Sequence, residues 1–433
     1  MTEVSSAPPR MSKRTFTIIF GVSLATQIGN TGLISVLPPI GRSIGLADEM
    51  VVSIFSLSAL LWAFTSPRWA AASDRYGRKP LMMVGLAGFM VSMALCGLVV
   101  KAGLLHMATP LVIFGAFLVC RALFGAFGPA SNPASQAYVA EHTPRERRTQ
   151  SMASLAGAVG LGQVTGPFLA PLFILPAVGL SGPLFAFALI AAAMLAIVAA
   201  FLPESTVPRP QPVVRAPGDA KDLPMWRDER VIPFLIYGFI VATCQTAQQQ
   251  TLGFLVLDKL HVTPLESQRP LAMAMMFGAV AGLLAQWGLI RMFEMNPRQL
   301  LRWGVGVAAA GNLIVALAPD YFWVVAGYAI ASLGFGFARP GFTAGASIAV
   351  GAIDQARVAG AIAAVNGINV ILAPAFMWLY RHVQSGPFLL NMALMTALLV
   401  YTFRNPQLRN ADPEPATRAD ATLATLERTD EGA

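Results

Sequence analysis

Apolar residues in this chain fall into twelve runs, near 16–38, 51–72, 80–100, 109–137, 150–174, 183–202, 231–256, 270–291, 299–318, 321–346, 356–380 and 386–403. A helix needs about 20 apolar residues to cross a bilayer, and these runs have that length. Some of them are apolar all round. LFAFALIAAAMLAIVAAF at 184–201 has no polar face, which excludes the alternating pattern of a membrane β-barrel. The expected fold class is therefore an all-α membrane protein with twelve transmembrane helices. The first run ends without a small-residue cleavage site and reads as a retained helix.

Two polar segments interrupt the rhythm. Residues 203–230 are rich in proline and charge and lack helical apolar periodicity, so they read as a linker. Residues 404–433 read as a polar tail. The expected organisation is an N-tail (1–15), a six-helix half (16–202), the linker (203–230), a second six-helix half (231–403) and a C-tail (404–433). The halves carry faint echoes of each other. GAFGPASNPAS from Gly125 parallels GFARPGFTAGA from Gly336, and GQVTGP ending at Pro167 parallels NVILAP ending at Pro374. Gly21 and Gly238 each open a Gly-x-x-x-Ala-Thr pattern in the first span of their half. Matches in the same order point to duplication, and to a transporter with its site between two pseudo-symmetric halves.

Composition changes the picture in one respect. Charged residues are 12% of the 433, about half the soluble average of roughly 25%, and mean hydropathy is +0.61. An ordinary soluble enzyme is excluded. With the N-terminus inside, 22 of the 30 Lys and Arg lie in inner segments; five (Arg42, Lys101, Lys259, Arg269, Arg381) lie in outer loops. The positive-inside rule then places both termini in the cytoplasm, and the formal net charge of +8 needs no nucleic-acid partner. The lipid bilayer is the expected surrounding, a monomer the expected state. Cys96, Cys120 and Cys244 sit inside spans and form no disulfide framework or metal spacing. No metal, cofactor or covalent chemistry is expected.

The loop after the second span reads SPRWAAASDRYGRKPL. Asp74 closes a helix, Gly77 permits a tight reversal, and Arg75, Arg78 and Lys79 hold the turn on the inner side. This loop resembles the signature of the major facilitator superfamily between spans 2 and 3, with Ala70 where the first glycine is usual. The resemblance implies the major facilitator fold over about 16–403, and a loop that latches the two halves when the inside is closed. RALFG in the fourth span, Arg121 to Gly125, matches a pattern associated with proton-coupled members. Arg121 lies about 18 Å along its helix, too deep to snorkel easily. Gly162, Gly166 and Pro167 in the fifth span partly match a signature of proton-exchanging exporters, Ala170 and Pro171 replacing its last two glycines. The group most resembled is the twelve-span drug/proton antiporters. In the second half, WGLIRMFEMNPRQLL keeps Gly288 but has Met292 at the acid position, so any second latch is degenerate.

Polar side chains inside spans are costly and tend to face the pathway. The candidates in spans 1, 4, 7 and 10 are Gln27, Asn30 and Thr31, then Asn132 and Gln136, then Gln245 and Gln249, with Gln248 and Gln250 turned partly elsewhere. Arg339 sits mid-span, opposite Gly128 in the repeat. No Asp or Glu occupies the centre of a span, so the proton carrier is unassigned, with Asp74 and Glu141 the nearest acids. Arg68, Arg121 and Arg339 leave cations in or near the spans without an offsetting carboxylate. The expected function is secondary active export of a neutral or anionic small amphipathic molecule, in exchange for protons, across a bacterial inner membrane. An importer of an organic anion and a non-transporting sensor are the rivals.

Overall fold

The structure, a computed structural model, describes residues 11–204, 225–350 and 354–411. Most of the linker and most of the C-tail therefore lie outside the described residues. Among the described residues, twelve long helices follow in order. They are α1 (Lys13–Ile44), α2 (Asp48–Tyr76), α3 (Arg78–Leu104), α4 (Pro110–Glu141), α5 (Gln150–Phe173) and α6 (Gly179–Phe201). Then come α7 (Ile232–Leu260), α8 (Gln268–Met292), α9 (Pro297–Ala316), α10 (Tyr321–Ile348), α11 (Arg357–His382) and α12 (Gly386–Arg404). No strand occurs among the described residues. Eleven of the helices are long and apolar enough to cross a membrane. The remaining one, α7, has 29 residues but a polar middle that includes Gln245 and Gln248 to Gln250.

The helices overrun the apolar runs because their ends are capped by polar residues. Ser12 accepts from the Thr15 amide at the start of α1, and Asp320 accepts from Phe322 and Trp323 at the start of α10. Asn296 and Gln299 form a reciprocal cap on α9. This cap lies in the loop equivalent to the Asp74 loop, where Met292 takes the acid position and Glu294 is the nearby acid. Beyond α12, Leu408 is fully buried against the second half, so part of the predicted C-tail belongs to the packed body.

Packing repeats with a shift of six helices. In the first half α1 packs on α5, α2 on α4 and α3 on α6; in the second, α7 packs on α11, α8 on α10 and α9 on α12. Two contacts related by the same pseudo-symmetry, α5 with α8 and α2 with α11, join the halves. At the end of the bundle remote from the termini, one apolar core spans both halves and includes Leu33, Leu37, Phe254 and Met377. Toward the termini each half has its own core. Ile19, Leu86 and Tyr138 belong to the first, and Tyr237, Val305 and Phe342 to the second. The halves meet at the far end and part toward the termini.

Candidate functional site

Between the parted halves lies a cavity at mid-depth. Its wall is mostly second half, with α5 closing one side through Gly160 and Gln163. Its empty space, open mouth included, is ≈ 1030 Å³. Gln245, Gln248 and Gln249 line it from α7, as do Gln286 from α8, Arg339 from α10 and Asn366 from α11. Asn369 also lines it, but its amide is already engaged: it accepts from Thr246 Oγ1 at 2.7 Å and donates to Asn366 O at 2.9 Å. The Arg339 guanidinium makes no hydrogen bond, ion pair or ring contact among the described residues. Gln248 is 1% exposed and its Oε1 has no partner. Met275, Leu283 and Phe335 supply apolar wall. No Asp, Glu, Lys or His lines the cavity among the described residues. Arg339 is the one charge among the described lining residues.

Residues 284–289 of α8 form a π-helical turn. The extra residue in such a turn redirects the side chains around it. Here Gln286 lines the cavity, while the Trp287 ring would lie 3.3 Å from a Cβ on Gly157 of α5.

The other predicted lining residues have different surroundings. Thr31 is buried in the joint between α1 and α5, where its Oγ1 donates to Gln27 O at 2.8 Å and to Gly162 O at 3.0 Å. It does not line the cavity, and neither does Gln27, whose Cβ would sit 2.7 Å from a Cβ on Gly162. A Cβ on Gly166 would meet Thr31 Oγ1 at 2.2 Å. Gly162 and Gly166 thus let two backbones approach closely, with Pro167 following inside the helix. Gly125 does the same for α2 and α4, since a Cβ there would lie 2.5 Å from Ser58 O. Asn132 and Gln136 are exposed and bonded to each other, Gln136 Nε2 donating to Asn132 Oδ1 at 3.2 Å. Gln250 is buried outside the cavity lining, with its Oε1 unpartnered. Arg68 is exposed on α2.

Arg121 is 2% exposed within the first half. Its Nη2 donates to Asn30 Oδ1 at 3.2 Å, and its guanidinium lies over the Phe124 ring at 4.6 Å and the Phe55 ring at 5.6 Å. Its Nε and Nη1 have no partner. Buried donors without acceptors are costly, so the site holds Arg121 at the expense of stability.

At the termini end, the loop after α2 is tightly built. Asp74 Oδ1 pairs with Arg78 Nη1 at 2.6 Å, and Arg78 Nη2 with Glu141 Oε1 at 2.5 Å. Gly77 has φ +104°, and a Cβ on it would lie 2.8 Å from Glu204 Oε1. That carboxylate accepts the amide N–H of Arg78 at 3.1 Å and of Lys79 at 3.3 Å, so it caps α3. Lys79 Nζ donates to Ala199 O at 2.8 Å, and Arg75 lies over the Tyr76 ring at 5.3 Å. Asp74 is largely exposed. In this conformation its described partner belongs to its own half.

The far end carries a cluster that sequence reasoning missed. Arg42 at the end of α1 pairs with Asp48 of α2 at 2.9 Å and, across the halves, with Asp258 of α7. Tyr380 of α11 donates to Asp258 Oδ2 at 2.5 Å. Arg381 of α11 pairs with Glu49 of α2 at 2.9 Å. Charged residues at span ends carry no sequence signal that pairs them. Gln163, Gln286 and Asn366 were missed for another reason: they lie in spans 5, 8 and 11, outside the four helices expected to line the path.

The family model described as the Major Facilitator Superfamily matches residues 19–374. The chain is 23% identical over 386 residues to the class C tetracycline resistance protein of Escherichia coli, covering 84% of this chain and 88% of that protein. It is 34% identical over 124 residues to the multidrug resistance protein MdtG of Dickeya zeae (strain Ech586), 28% of this chain and 27% of that one. Among solved structures, a POT family transporter in complex with 5-aminolevulinic acid superposes with TM-score 0.72 at 14% identity, covering 92% of this chain and 98% of that chain. A bacterial homologue of the human lysosomal transporter Spinster, inward-facing and unoccupied, gives 0.71 at 16% identity, covering 94% and 100%. Two pseudo-symmetric six-helix halves, the DRYGRK loop between α2 and α3, and a family match over most of the length agree: the chain is a multi-pass membrane protein that belongs to the Major Facilitator Superfamily.

Proposed function

We propose that the protein exports small amphipathic molecules, neutral or anionic, from the cytoplasm by alternating access, in exchange for protons. The observation that carries this reading is the mid-depth cavity, lined by polar and apolar residues together, between halves that part at one end only. The glycine joint of α5, where the sequence partly matches the exporter signature, and the drug-resistance relatives support the outward direction. The excess of Lys and Arg toward the termini supports a cytoplasmic position for that end, so the described conformation is open to the cytoplasm. A bacterial inner membrane is the proposed location. In this scheme the Asp74 loop engages the second half when the termini end closes, and the Arg42–Asp258 and Arg381–Glu49 pairs release when the far end opens.

Everted vesicles containing the protein test this. A neutral or anionic amphipath should accumulate inside them when an acid-inside pH gradient is imposed, and collapse of the gradient should stop it. Accumulation in right-side-out vesicles alone would favour the importer of an organic anion, a reading that the unpaired Arg339 also suits.

A further inference from the structure

We infer that the cavity is a reader of monoanionic head groups, carboxylate or sulfonate, with Arg339 as the charge contact among the described lining residues and apolar lining residues for the tail; this rests on the transport reading above. By sequence, Arg68, Arg121 and Arg339 are three cations in or near the spans, Arg68 being close enough to the inner face to snorkel. The structure separates them. Arg68 is exposed on α2. Arg121 is enclosed by Asn30, Phe55 and Phe124 within the first half. Arg339 alone lines the cavity.

Three features give the cavity its selectivity. A guanidinium without a protein partner presents N–H donors in a planar fork that matches a carboxylate. The other polar residues of the described lining are mostly carboxamides, with a few hydroxyls and no acid. Gln163, Gln245, Gln249 and Gln286 line the cavity and make no described side-chain hydrogen bond, so each can donate N–H to the remaining oxygen lone pairs. With one positive charge and no carboxylate among the described lining residues, a monoanion is neutralised. A dianion is left with excess charge and a cation is repelled. Met275, Leu283 and Phe335, also in the lining, give the tail apolar surface. Gln163 belongs to α5 and the rest of this set to the second half, so a bound head group also ties one half to the other.

The test uses the full-length chain in nanodiscs and two matched probes, 1-naphthaleneacetate and 1-naphthaleneacetamide, measured by equilibrium dialysis against empty nanodiscs. The wild type should hold the acetate about tenfold or more tighter than the amide, the factor that one charge-assisted hydrogen bond supplies. Arg339→Gln should bring acetate affinity down to that of the amide. Arg339→Lys should keep part of the preference, since charge remains and the fork is lost. Arg68→Gln should keep all of it. Equal binding of the two probes by the wild type, binding of neither, or a preference that survives Arg339→Gln would each overturn the inference. Export is scored separately in proteoliposomes. Movement of a neutral amphipath without anion preference removes this inference and leaves export standing. No movement of any amphipath removes export, while the dialysis still decides the head group.

Discussion

Single residues decide whether a polar side chain inside a span serves the pathway or the packing. Gln27, Asn30 and Thr31 look alike in sequence, yet on a helix of 3.6 residues per turn Asn30 and Thr31 are about 100° apart. One meets Arg121 on α4, and the other meets Gly162 on α5. The cost of a polar group in hydrocarbon was legible; its direction was not, because direction depends on the neighbouring helix. Arg121 provides a sharp test. Two of its buried nitrogens have no partner, and replacing a poorly satisfied buried charge with an apolar side chain of similar length is often neutral or stabilising. Arg121→Met should leave the melting temperature unchanged or raise it, by about 1 kcal/mol or more of stability, while transport falls. A clear drop in melting temperature would show that Arg121 supports the fold instead. Gly77 behaves in the opposite way. Its φ of +104° strains any residue with a Cβ, and that Cβ would also push on the Glu204 carboxylate that caps α3, so Gly77→Ala should cost about 1–3 kcal/mol. Asp74→Asn, at an exposed carboxylate, should leave melting almost unchanged and slow turnover. Thermal melts beside vesicle rates separate the two.

Between elements, the recurring device is a glycine that admits a neighbouring backbone. Gly166 would set a Cβ 2.2 Å from Thr31 Oγ1 and 2.5 Å from Ile28 O. Backbone cannot yield as a flexible side chain does, so Gly166→Ala should force α1 and α5 apart at a cost of about 1–3 kcal/mol. Gly115, where a Cβ would meet nothing within 4 Å, is the control, and Gly115→Ala should be neutral or slightly stabilising. Equal melting of the two variants would dismiss the joint. The helices themselves were readable from apolar runs, since nothing else explains such runs in a chain this poor in charge. Their ends were not, because caps such as Ser12, Asn296 and Asp320 carry each helix past the apolar stretch. The π-helical turn in α8 left no mark in composition, and with it Gln286 went unseen.

The whole molecule is pinned at its far end by charge pairs between residues 216 and 332 positions apart in sequence. No pattern along the chain announces such pairs, whereas the six-helix repeat was readable from matched glycines and prolines. The pair of Arg381 with Glu49 is part-exposed and worth about 1 kcal/mol at most, enough to bias a balanced equilibrium by about fivefold. Spin labels on the exposed far-end residues Met107 and Leu265, one in each half, would report it. Glu49→Arg or Arg381→Glu alone should add a longer distance to the distribution. The double exchange should restore the original one, and if the single changes leave it untouched the pair does not hold the halves. The polar middle of α7 has a different consequence, for how the chain is made. The glutamines that serve the cavity leave this helix too polar to join the others in crossing on hydropathy alone. A segment leaving the ribosome has no finished cavity to face, so α7 should partition poorly into lipid by itself. It should integrate only when α8, and later α10 and α11, supply partners for Gln245 to Gln250. Glycosylation-site reporters on truncated nascent chains would show it: α7 alone should pass into the lumen, and α7 followed by α8 should remain in the membrane. The second half is then assembled cooperatively rather than helix by helix, and variants such as Gln250→Leu should speed biogenesis.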